Sequence, residues 1–542
     1  MRVAFLTDNY MHGWQVLDPF RVELLKEFTR RSADLLFIQA SDYMDINGVF
    51  YDDAKRQHVL NEITRFKPDL VFSLNRAGLS PFVCAEISCP VVSWYIDNPN
   101  RFSPTLRRFK RDELVFCATR YMMSWLHKHT PSTPEESYRC DYLPFCTNSK
   151  IFSPGSGKIP DSEMCDISFV GTLWDPSHLC HIIDNDIDSD ERKAFISDVF
   201  ERYLKDYDLN LHAELARTTG PKLPPPTALK NLFDDFVSTQ KRLAVLDALS
   251  DFNLEVYGTR TWVGQALARS KKFFDRIHLQ PIEDPRDLAQ LYRRSRIGLS
   301  IAHQQAQSGF PIRIFDIMAV GIPLLSDPHS ELNELFAEGE MFMSYQSSAH
   351  ALEIVNQLLR DPAKRLSMGR AASAEANAHH TFAHRVSTIL GSSNTESLKS
   401  LRIVSDYLKI DFLHDFLRHG DARIEVSRLR IPNQLDWKEA WRQDKVPVRG
   451  GKLGRACLMV GAVAMTLWRG VVLRLDKLSI KTHAADDPTV SEVTPAKKIG
   501  PWHAFRLALD NYYVRNQILN TQMEYHIQKS RLLEFDADRS RT

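Results

Sequence analysis

The chain has 542 residues, too many for one hydrophobic core, and this length indicates roughly two to four domains. Hydrophobic residues make up 43% of it, as in ordinary globular proteins, and the 69 basic and 68 acidic side chains almost cancel. That balance excludes attraction of the whole molecule to nucleic acid or to an anionic surface, so any contact with a polyanion must be local.

The first part of the chain alternates short apolar runs with helical patterns. The run RVAFLTD is followed by helical spacing over DPFRVELLKEFTRRSAD and then by a second apolar run, LLFIQA. Further apolar runs follow at PDLVFSLN, PVVSWYID and ELVFCAT, each closing on polar or turn residues. Nearly continuous apolar strands alternating with helices are typical of a parallel sheet covered on both faces. We therefore predict a doubly wound, Rossmann-like α/β domain over residues 1–155.

A second series of strands begins after the linker-like stretch SPGSGKIPDSEM. Its predicted strands are CDISFVG, LEVYG, IHLQ, IGLSI and IPLLS, with helical patterns between them. They predict a second Rossmann-like domain over residues 160–390. A charged, helix-like insertion at 176–250 interrupts this domain and is interpreted either as a lid or as packing helices. From 391 to 542 the alternation fades, and we expect a mainly helical extension.

The extension contains one strongly apolar stretch, RACLMVGAVAMTLW, within the possible membrane-interface segment 455–475. Its uncharged core of about 13 residues is shorter than the roughly 20 that a spanning helix needs. Basic residues flank it across 445–481, which leaves two interpretations: a helix lying in a membrane interface, or a buried helix of the domain. The first predicts peripheral contact with the inner face of a membrane.

The cysteines and the N-terminal sequence bear on the compartment. The eight cysteines form no Cys-x-x-Cys pair and have no histidine spacing typical of a zinc site, which favours reduced thiols and a cytoplasmic setting. The opening MRVAFLTDNY lacks the long apolar region and the cleavage site of a signal peptide. We therefore expect a cytoplasmic protein.

The loops after the predicted strands are the expected ligand contacts. Two successive α/β domains place a cleft between the carboxyl ends of their strands, and open α/β sheets bind ligands at those ends. Small residues in these loops allow close approach of the backbone to a ligand. In the second domain the candidate residues are Gly171, Thr172, Gly258, Arg260 and His303.

The stretch GFPIRIFDIMAVGIPLLSD, 309–327, predicts a helix that starts after a glycine loop. Ser308, Gly309 and Phe310 lie at that start, where free N–H groups and the positive end of the helix dipole form a ready anion site. Arg313 adds donors suited to phosphate, and Asp316 is suited to accept from two ribose hydroxyls. The alternative is a solvated i,i+3 ion pair worth a few tenths of a kcal/mol on an ordinary packing helix. Spacing alone leaves both interpretations open.

The same stretch resembles the donor-site helix of GT-B glycosyltransferases, in particular the CgeB-like branch. PVVSWYIDNP, DISFVGTLWD, ELFAEGEMFMSY and HHTFAHR resemble other segments of that branch. The resemblance covers about 65–390 and implies two Rossmann-like domains facing a cleft, with the second binding a nucleotide sugar. Many retaining members show Glu-x7-Glu; here Asp316 takes the second place and Ser308 the first. That departure leaves donor choice and stereochemical outcome open.

The resemblance implies transfer of a sugar from a nucleoside-diphosphate donor to an acceptor hydroxyl without a bound metal. The nucleotide sugar is a co-substrate, and no other cofactor is expected. Charge growing on the leaving diphosphate then needs helix dipoles and a cation. Arg313 is the first candidate for that cation, Arg260 the second and His303 the third. His379 and His380 are adjacent and cannot chelate one ion from a regular helix face, so we predict no metal site there.

The first domain is expected to hold the acceptor, which is a glycan, a lipid-linked molecule or a protein in cell-envelope, surface polysaccharide or protein glycosylation. Asp97 ends a predicted strand and is the candidate general base or orienting group, the alternative being an ordinary Asp-Asn-Pro turn. The other acceptor-side candidates are Asp8, Asn9, His12, Asn75 and Arg76.

Two other functions stay open at this point. One is a scaffold with the same architecture that binds a nucleotide or a partner without turnover, and Ser308 is the residue that keeps it open. The other is a nucleotide-sugar epimerase of the same fold.

Overall fold

The computed structural model describes residues 1–429 except 10–16, 46–47, 131–137, 158, 174–189, 208, 210–213, 215–225, 259–269, 279–281, 283 and 409–421. The apolar segment 455–475 and the flanking 445–481 lie outside this range, as do His12 and Arg260. In the part of the chain that is described, no helix has the length and hydrophobicity needed to cross a membrane.

The first sheet has eight strands in the order β14-β13-β2-β1-β3-β4-β5-β6, and its described pairings are all parallel. The strands are β1 Arg2–Thr7, β2 Asp34–Gln39, β3 Leu70–Leu74, β4 Val91–Tyr95, β5 Glu113–Cys117, β6 Tyr138–Tyr142, β13 Ser400–Val404 and β14 Arg423–Ser427. Its helices are α1 Pro19–Arg31, α2 Asp53–Phe66, α3 Pro81–Glu86 and α4 Arg120–His129.

Helices cover both faces of this sheet, as the continuous apolar strands predict. Val3 and Phe5 of β1 pack with Phe28 of α1 on one face. Ala4 and Leu6 point to the other face and join the cluster that contains α2 and α3. Successive residues of a strand point to opposite faces, so a strand that is buried on both must be apolar at every position.

The second sheet has six strands in the order β12-β11-β10-β7-β8-β9, and its described pairings are parallel. The strands are β7 Cys165–Gly171, β8 Leu254–Gly258, β9 Ile277–His278, β10 Ser295–Ser300, β11 Leu324–Ser326 and β12 Phe342–Ser344. The helices of this part are α5 Asp190–Lys205, α6 Pro226–Ala248, α7 Lys271–Phe274, α8 Pro285–Arg293, α9 Arg313–Val320, α10 Ser330–Leu335, α11 Ser348–Arg360 and α12 Pro362–His379. The predicted GT-B layout is confirmed in its two parallel α/β sheets.

The described part of the predicted insertion consists mainly of α5 and α6. Leu243, Leu246 and Leu249 at the end of α6 are fully buried in the core of the second sheet, together with Tyr203 of α5. These contacts support packing helices rather than a lid for this part of 176–250.

The chain returns to the first sheet after α12. Thr147 donates its amide to the carbonyl of His380 at 2.9 Å, so the two connecting segments lie side by side. The next helix, α13 Phe382–Leu390, buries Val386 and Ile389 in the same cluster as α1. We assigned 382–390 to the second domain by its place in the chain, but it packs on the first.

The extension that follows is not mainly helical where it is described. Within 391–429, Ser400–Val404 and Arg423–Ser427 form strands β13 and β14, so our prediction was wrong for this part. Leu401, Ile403 and Val404 are fully buried, and β13 pairs with β2 along its whole length. Pairing covers the backbone groups that β2 would otherwise expose as an edge strand, which is the physical reason for the addition.

Candidate functional site

A buried arginine lies at the carboxyl ends of the central strands of the second sheet. Arg242 of α6 is 5% exposed and donates to the carbonyl of Ile301, just after β10, at 2.9 and 3.2 Å, and to the carbonyl of Thr172, just after β7. Burial, together with the positive charge of Arg313, lowers the pKa of Arg242 to about 9. The site therefore holds two cations whose charges act on one another.

Arg313 is the other cation of this pair. It is the first residue of α9 and is half-buried, and its side chain makes no hydrogen bond or ion pair with any residue that the structure describes. Ile312 precedes the helix and supplies no side-chain cap. A half-buried guanidinium next to a second cation favours an anion as the missing partner.

A buried ion pair beside these arginines is already neutral. Lys241 pairs with Asp327, which follows β11, and both are nearly inaccessible to solvent. Asp327 also accepts from the amide of Ala302 at 3.0 Å and contacts His329 Nε2 at 3.1 Å. The Lys241 charge lowers the pKa of Asp327 despite the burial, and Asp327 raises the pKa of Lys241 despite its burial. The excess positive charge of the site therefore belongs to Arg242 and Arg313.

Sequence reasoning missed Lys241 and Arg242. They lie in the stretch STQKRLAVLDAL, which has the appearance of an ordinary charged helix in an insertion. One signal in the sequence was available: the two basic residues come directly before an apolar helical face. A helix that is buried on that face also buries the residues at its start.

His303 has hydrogen-bond partners at both ring nitrogens, which disfavour its cationic form, and its contact with a donor stays a prediction. Its Nδ1 accepts from the amide of Gln305 at 3.1 Å, which places the ring proton on Nε2, 2.9 Å from Asp235 Oδ1. Burial lowers the pKa of His303, although Asp235 opposes this effect. The ring caps the turn 304–306.

The loop before α9 lies against the first sheet's helices. Ser308 donates its hydroxyl to Glu331 Oε1, and the amide of Arg120 donates to the same oxygen at 2.8 Å. A Cβ added to Gly309 would lie 2.3 Å from Thr119 Cγ2, so only glycine fits there. Phe310 is 4% exposed and packs on Phe315, so its side chain belongs to the core and not to a ligand contact as predicted.

The Asp316 side chain joins α9 to the segment that contains Thr147. It does not form the solvated ion pair that was the alternative interpretation. Its Oδ1 accepts from Thr147 Oγ1 at 2.7 Å, and no salt bridge joins it to Arg313 among the described residues. The carboxyl group is 6% exposed, and burial raises its pKa to about 7, against the opposing effects of Thr147 and Arg313. Its role toward a ribose stays a prediction.

The raised pKa of Asp316 predicts a stability effect of Asp316→Asn. The unfolded chain ionises this group near its ordinary pKa of 3.8 and the folded chain near 7, so folding stability falls as pH rises through this window and the loss is complete above it. The amide keeps an acceptor for Thr147 and removes the loss, on the order of 1.4 kcal/mol for each pKa unit. We expect Asp316→Asn to melt at a higher temperature than wild type at pH 8.

Thermal melts across pH test this expectation. The advantage of Asp316→Asn should shrink as pH falls and should disappear at about pH 3 and below, because wild-type Asp316 is then largely neutral in both states. Thr147→Val, which removes the bond without changing the charge, is the matched control and should melt lower at both pH values. An Asp316→Asn variant that melts lower than wild type at pH 8 would refute this assignment.

The remaining predicted donor-side residues end neighbouring strands. Gly171 of β7 and Gly258 of β8 are register partners. A Cβ on Gly171 would lie 2.5 Å from the ring of Phe169, so this glycine is required by packing. Thr172 serves through its carbonyl, which accepts from Arg242. Of the predicted donor contacts, the structure thus brings Thr172 and Arg313 to Arg242.

Three predicted acceptor-side residues meet at the carboxyl edge of the first sheet. Asn75, after β3, donates its amide N–H groups to Asp97 Oδ2 at 2.9 Å and to Asp8 Oδ2 at 3.2 Å. Asp8 also pairs with Arg21 of α1. Asp97 is half-buried, whereas Asp8 is 6% exposed, so Asp97 is the more accessible carboxylate of the two.

Arg76 does not have the predicted role, and that of Asn9 stays a prediction. Arg76 has no exposed surface: it pairs with Glu113 at 3.2 Å and donates to the carbonyls of Leu106 and Arg108 at 3.1 and 2.8 Å. Although it follows a strand as Asn75 does, its side chain turns into the core, where a buried charge requires a partner. Asn9 is 1% exposed, and its backbone amide donates to Ser41 Oγ at 3.1 Å.

The histidines near residue 380 have structural partners. Arg385 donates to the carbonyls of Pro144 and Phe145 at 2.7 and 2.9 Å and to His380 Nδ1 at 2.9 Å. The ring of His380 packs near Phe315 and Phe336, and burial lowers its pKa to about 3. Among the described residues, no group of His, Cys, Asp or Glu side chains is arranged to hold a metal ion.

Comparison with known families places a match on the second sheet. Residues 240–391 match the family model described as glycosyl transferase-like. The match begins next to Lys241 and Arg242 and includes Arg313 and Asp327. This part of the chain is therefore similar to glycosyl transferase-like domains. No curated protein matches the sequence.

Three of the solved structures with a similar course of the chain are as follows. HepE of Anabaena in complex with UDP-glucose has 11% identity and a TM-score of 0.46, covering 72% of this chain and 98% of that one. Sucrose-phosphate synthase from Thermosynechococcus elongatus has 11% identity and a TM-score of 0.42, covering 71% and 97%. The BGT enzyme of T4 phage in complex with UDP-glucose has 12% identity and a TM-score of 0.39, covering 72% and 98%.

Proposed function

We propose that the protein is a metal-independent glycosyltransferase that moves a sugar from a nucleoside-diphosphate donor to an acceptor hydroxyl. The observation that carries the proposal is the pair of Arg242 and Arg313, two neighbouring cations at the carboxyl ends of the second sheet. The diphosphate of a nucleotide sugar supplies the charge that this pair lacks. The glycosyl transferase-like match over 240–391 supports the same chemistry.

The two arginines also account for transfer without a metal ion. As the bond from the anomeric carbon to the diphosphate breaks, its electron pair passes to the leaving oxygen, where negative charge grows. Fixed guanidinium groups close to that oxygen stabilise the charge without having to reorganise, which is the largest single contribution in many enzymes. Arg242 is held in place by two backbone carbonyls, so it is suited to that role.

Asp97 is the proposed group on the acceptor side. In net terms the acceptor hydroxyl gives its proton to Asp97, its oxygen forms a bond to the anomeric carbon, and the nucleoside diphosphate leaves. A half-buried carboxylate whose position is fixed by Asn75 supports this assignment. We place the acceptor among glycans, lipid-linked molecules and proteins of cell-envelope, surface polysaccharide or protein glycosylation.

We place the protein in the cytoplasm. We also propose that residues 445–481 make peripheral contact with a membrane. Six cysteines of the described residues are free thiols, four of them buried, which suits a reducing compartment. The resemblance to the CgeB-like branch remains part of this proposal.

A panel of nucleotide sugars tests the function. The full chain is incubated with UDP-, GDP-, ADP-, dTDP- and CMP-linked sugars in the presence of a chelator, and release of free nucleotide is measured. We expect one donor class to be turned over. Binding of a nucleotide without turnover of any donor, even with a range of glycan acceptors, would instead identify a scaffold, and an isomerised sugar would identify an epimerase; either outcome overturns the proposal.

A further inference from the structure

Asn75 occupies an unusual place between two carboxylates of the proposed acceptor site. It follows β3 with φ of 53°, in the left-handed region that non-glycine residues seldom adopt, although asparagine tolerates it better than most. This backbone turn directs the side chain toward the ends of β1 and β4. Residues held in such conformations cluster at functional sites because the surrounding contacts impose them.

Every hydrogen-bonding group of the Asn75 side chain has a partner. Its Oδ1 accepts from the amides of Ile96 and Asp97 at 2.9 and 3.1 Å, and its two N–H groups face Asp97 and Asp8. Because two backbone amides can only donate, the orientation of the side-chain amide is fixed, and its nitrogen must face the carboxylates.

Among the described residues, negative side chains outnumber positive ones around the side-chain amide of Asn75. Arg21 pairs with Asp8 and, at 2.6 Å, with Asp18, and its Nε donates to Thr7 Oγ1 at 3.0 Å. Asp8, Asp18 and Asp97 all raise the pKa of Arg21, although its burial opposes them. Among the described residues, Asp8 and Asp18 therefore pair directly with Arg21, and Asp97 acts on the same guanidinium without forming an ion pair with it.

We propose that Asn75 is a positioning residue for Asp97: its amide orients the Asp97 carboxylate, keeps it ionised, and ties it to the Asp8–Arg21 ion pair. The proposal rests on the proposed role of Asp97 as the group that takes the acceptor proton. A hydrogen bond to the charged form of a carboxylate favours that form, and a neighbouring negative charge disfavours it. Asn75 supplies the bond while separating Asp97 from Asp8.

Two substitutions change the site in opposite electrostatic directions. Asn75→Asp keeps the shape and tolerates the left-handed backbone, but it places a third carboxylate between the other two. Asp8→Asn removes a negative charge and leaves Arg21 with one partner fewer. The readout is the pH dependence of nucleotide release, with water as the acceptor, from whichever panel donor the wild type hydrolyses.

We expect the acid limb of that profile to move to higher pH in Asn75→Asp, by about one unit or more, and to lower pH in Asp8→Asn. Asn75→Gly keeps the backbone conformation and deletes the amide; it should lower kcat by about 100-fold, the order of loss that follows from misplacing a reacting group, with the donor KM little changed. A purely structural amide would lower the melting temperature of these variants and leave the acid limb where it is, and this result would overturn the inference.

Asp97→Asn separates the two levels of the proposal. If this variant hydrolyses the donor like wild type, the proposed role of Asp97 fails and the inference about Asn75 fails with it. If Asp97→Asn is inactive but both Asn75 variants and Asp8→Asn keep the wild-type profile, only the inference fails. Should Asn75→Asp not fold, Asn75→Gly still decides, because a positioning role predicts a lower kcat with little change in the donor KM, whereas a purely structural role predicts only a lower melting temperature.

Discussion

Arg313→Ala is expected to weaken nucleoside-diphosphate binding by about 10- to 100-fold, which corresponds to the loss of a charge-assisted hydrogen bond of about 1.5–3 kcal/mol. The turnover number should fall as well, by about 100-fold, because the same guanidinium stabilises charge that grows in the transition state. The fold should survive, since the side chain makes no hydrogen bond or ion pair with the described residues. Removing it leaves no buried group without a partner.

Calorimetric titration with the nucleoside diphosphate of the active donor measures the first effect, and steady-state kinetics the second. Arg370→Ala is the matched control, because Arg370 is an exposed arginine of α12 in the same domain. That variant should bind and turn over the donor like wild type. An Arg313→Ala variant that is unfolded would show that the arginine is a packing element, and one with wild-type affinity would remove it from the site.

Arg242 gives the second large prediction, a loss of donor affinity at high pH. With a pKa lowered to about 9, the guanidinium is charged below that pH and loses its proton as pH rises through it. Diphosphate affinity should therefore be constant between pH 7 and 8 and fall above pH 9. Bound diphosphate favours the charged form, so the pKa of Arg242 in the complex should be higher than in the free protein.

The other groups around Arg242 do not titrate in that window. Asp327 has a lowered pKa, whereas the pKa values of Lys241 and Tyr345 are raised. Arg313→Ala supplies the internal check: without the second cation, the pKa of Arg242 rises, so the affinity that remains should fall only at higher pH than in wild type. Affinity that is independent of pH up to 10 in both proteins would contradict the placement of the diphosphate at Arg242.

Local sequence pattern was sufficient to predict most of the two sheets. A strand such as Val3–Leu6 is apolar at every position because helices cover both faces, and this pattern is visible without knowledge of the partner strands. β13 was missed because its five residues gain their stability from pairing with β2, which lies hundreds of positions earlier in the chain. No short window of sequence displays such a partner.

The candidate site was only partly predictable for a similar reason. Asn75 and Arg76 follow the same strand and look alike as loop polar residues, yet the side chain of one joins two carboxylates while the other is buried against Glu113. Direction of a side chain depends on backbone angles and distant partners. Arg242 was missed because its position on a helix places it at strand ends that are far away in sequence.

The most direct test of the central claim is a crystal structure of the full chain with the nucleoside diphosphate of the donor that it turns over. We predict phosphate oxygens at about 3 Å from the guanidinium groups of both Arg242 and Arg313, at the carboxyl ends of β7 and β10. A diphosphate bound elsewhere, with these two arginines unchanged and without an anion between them, would contradict the account.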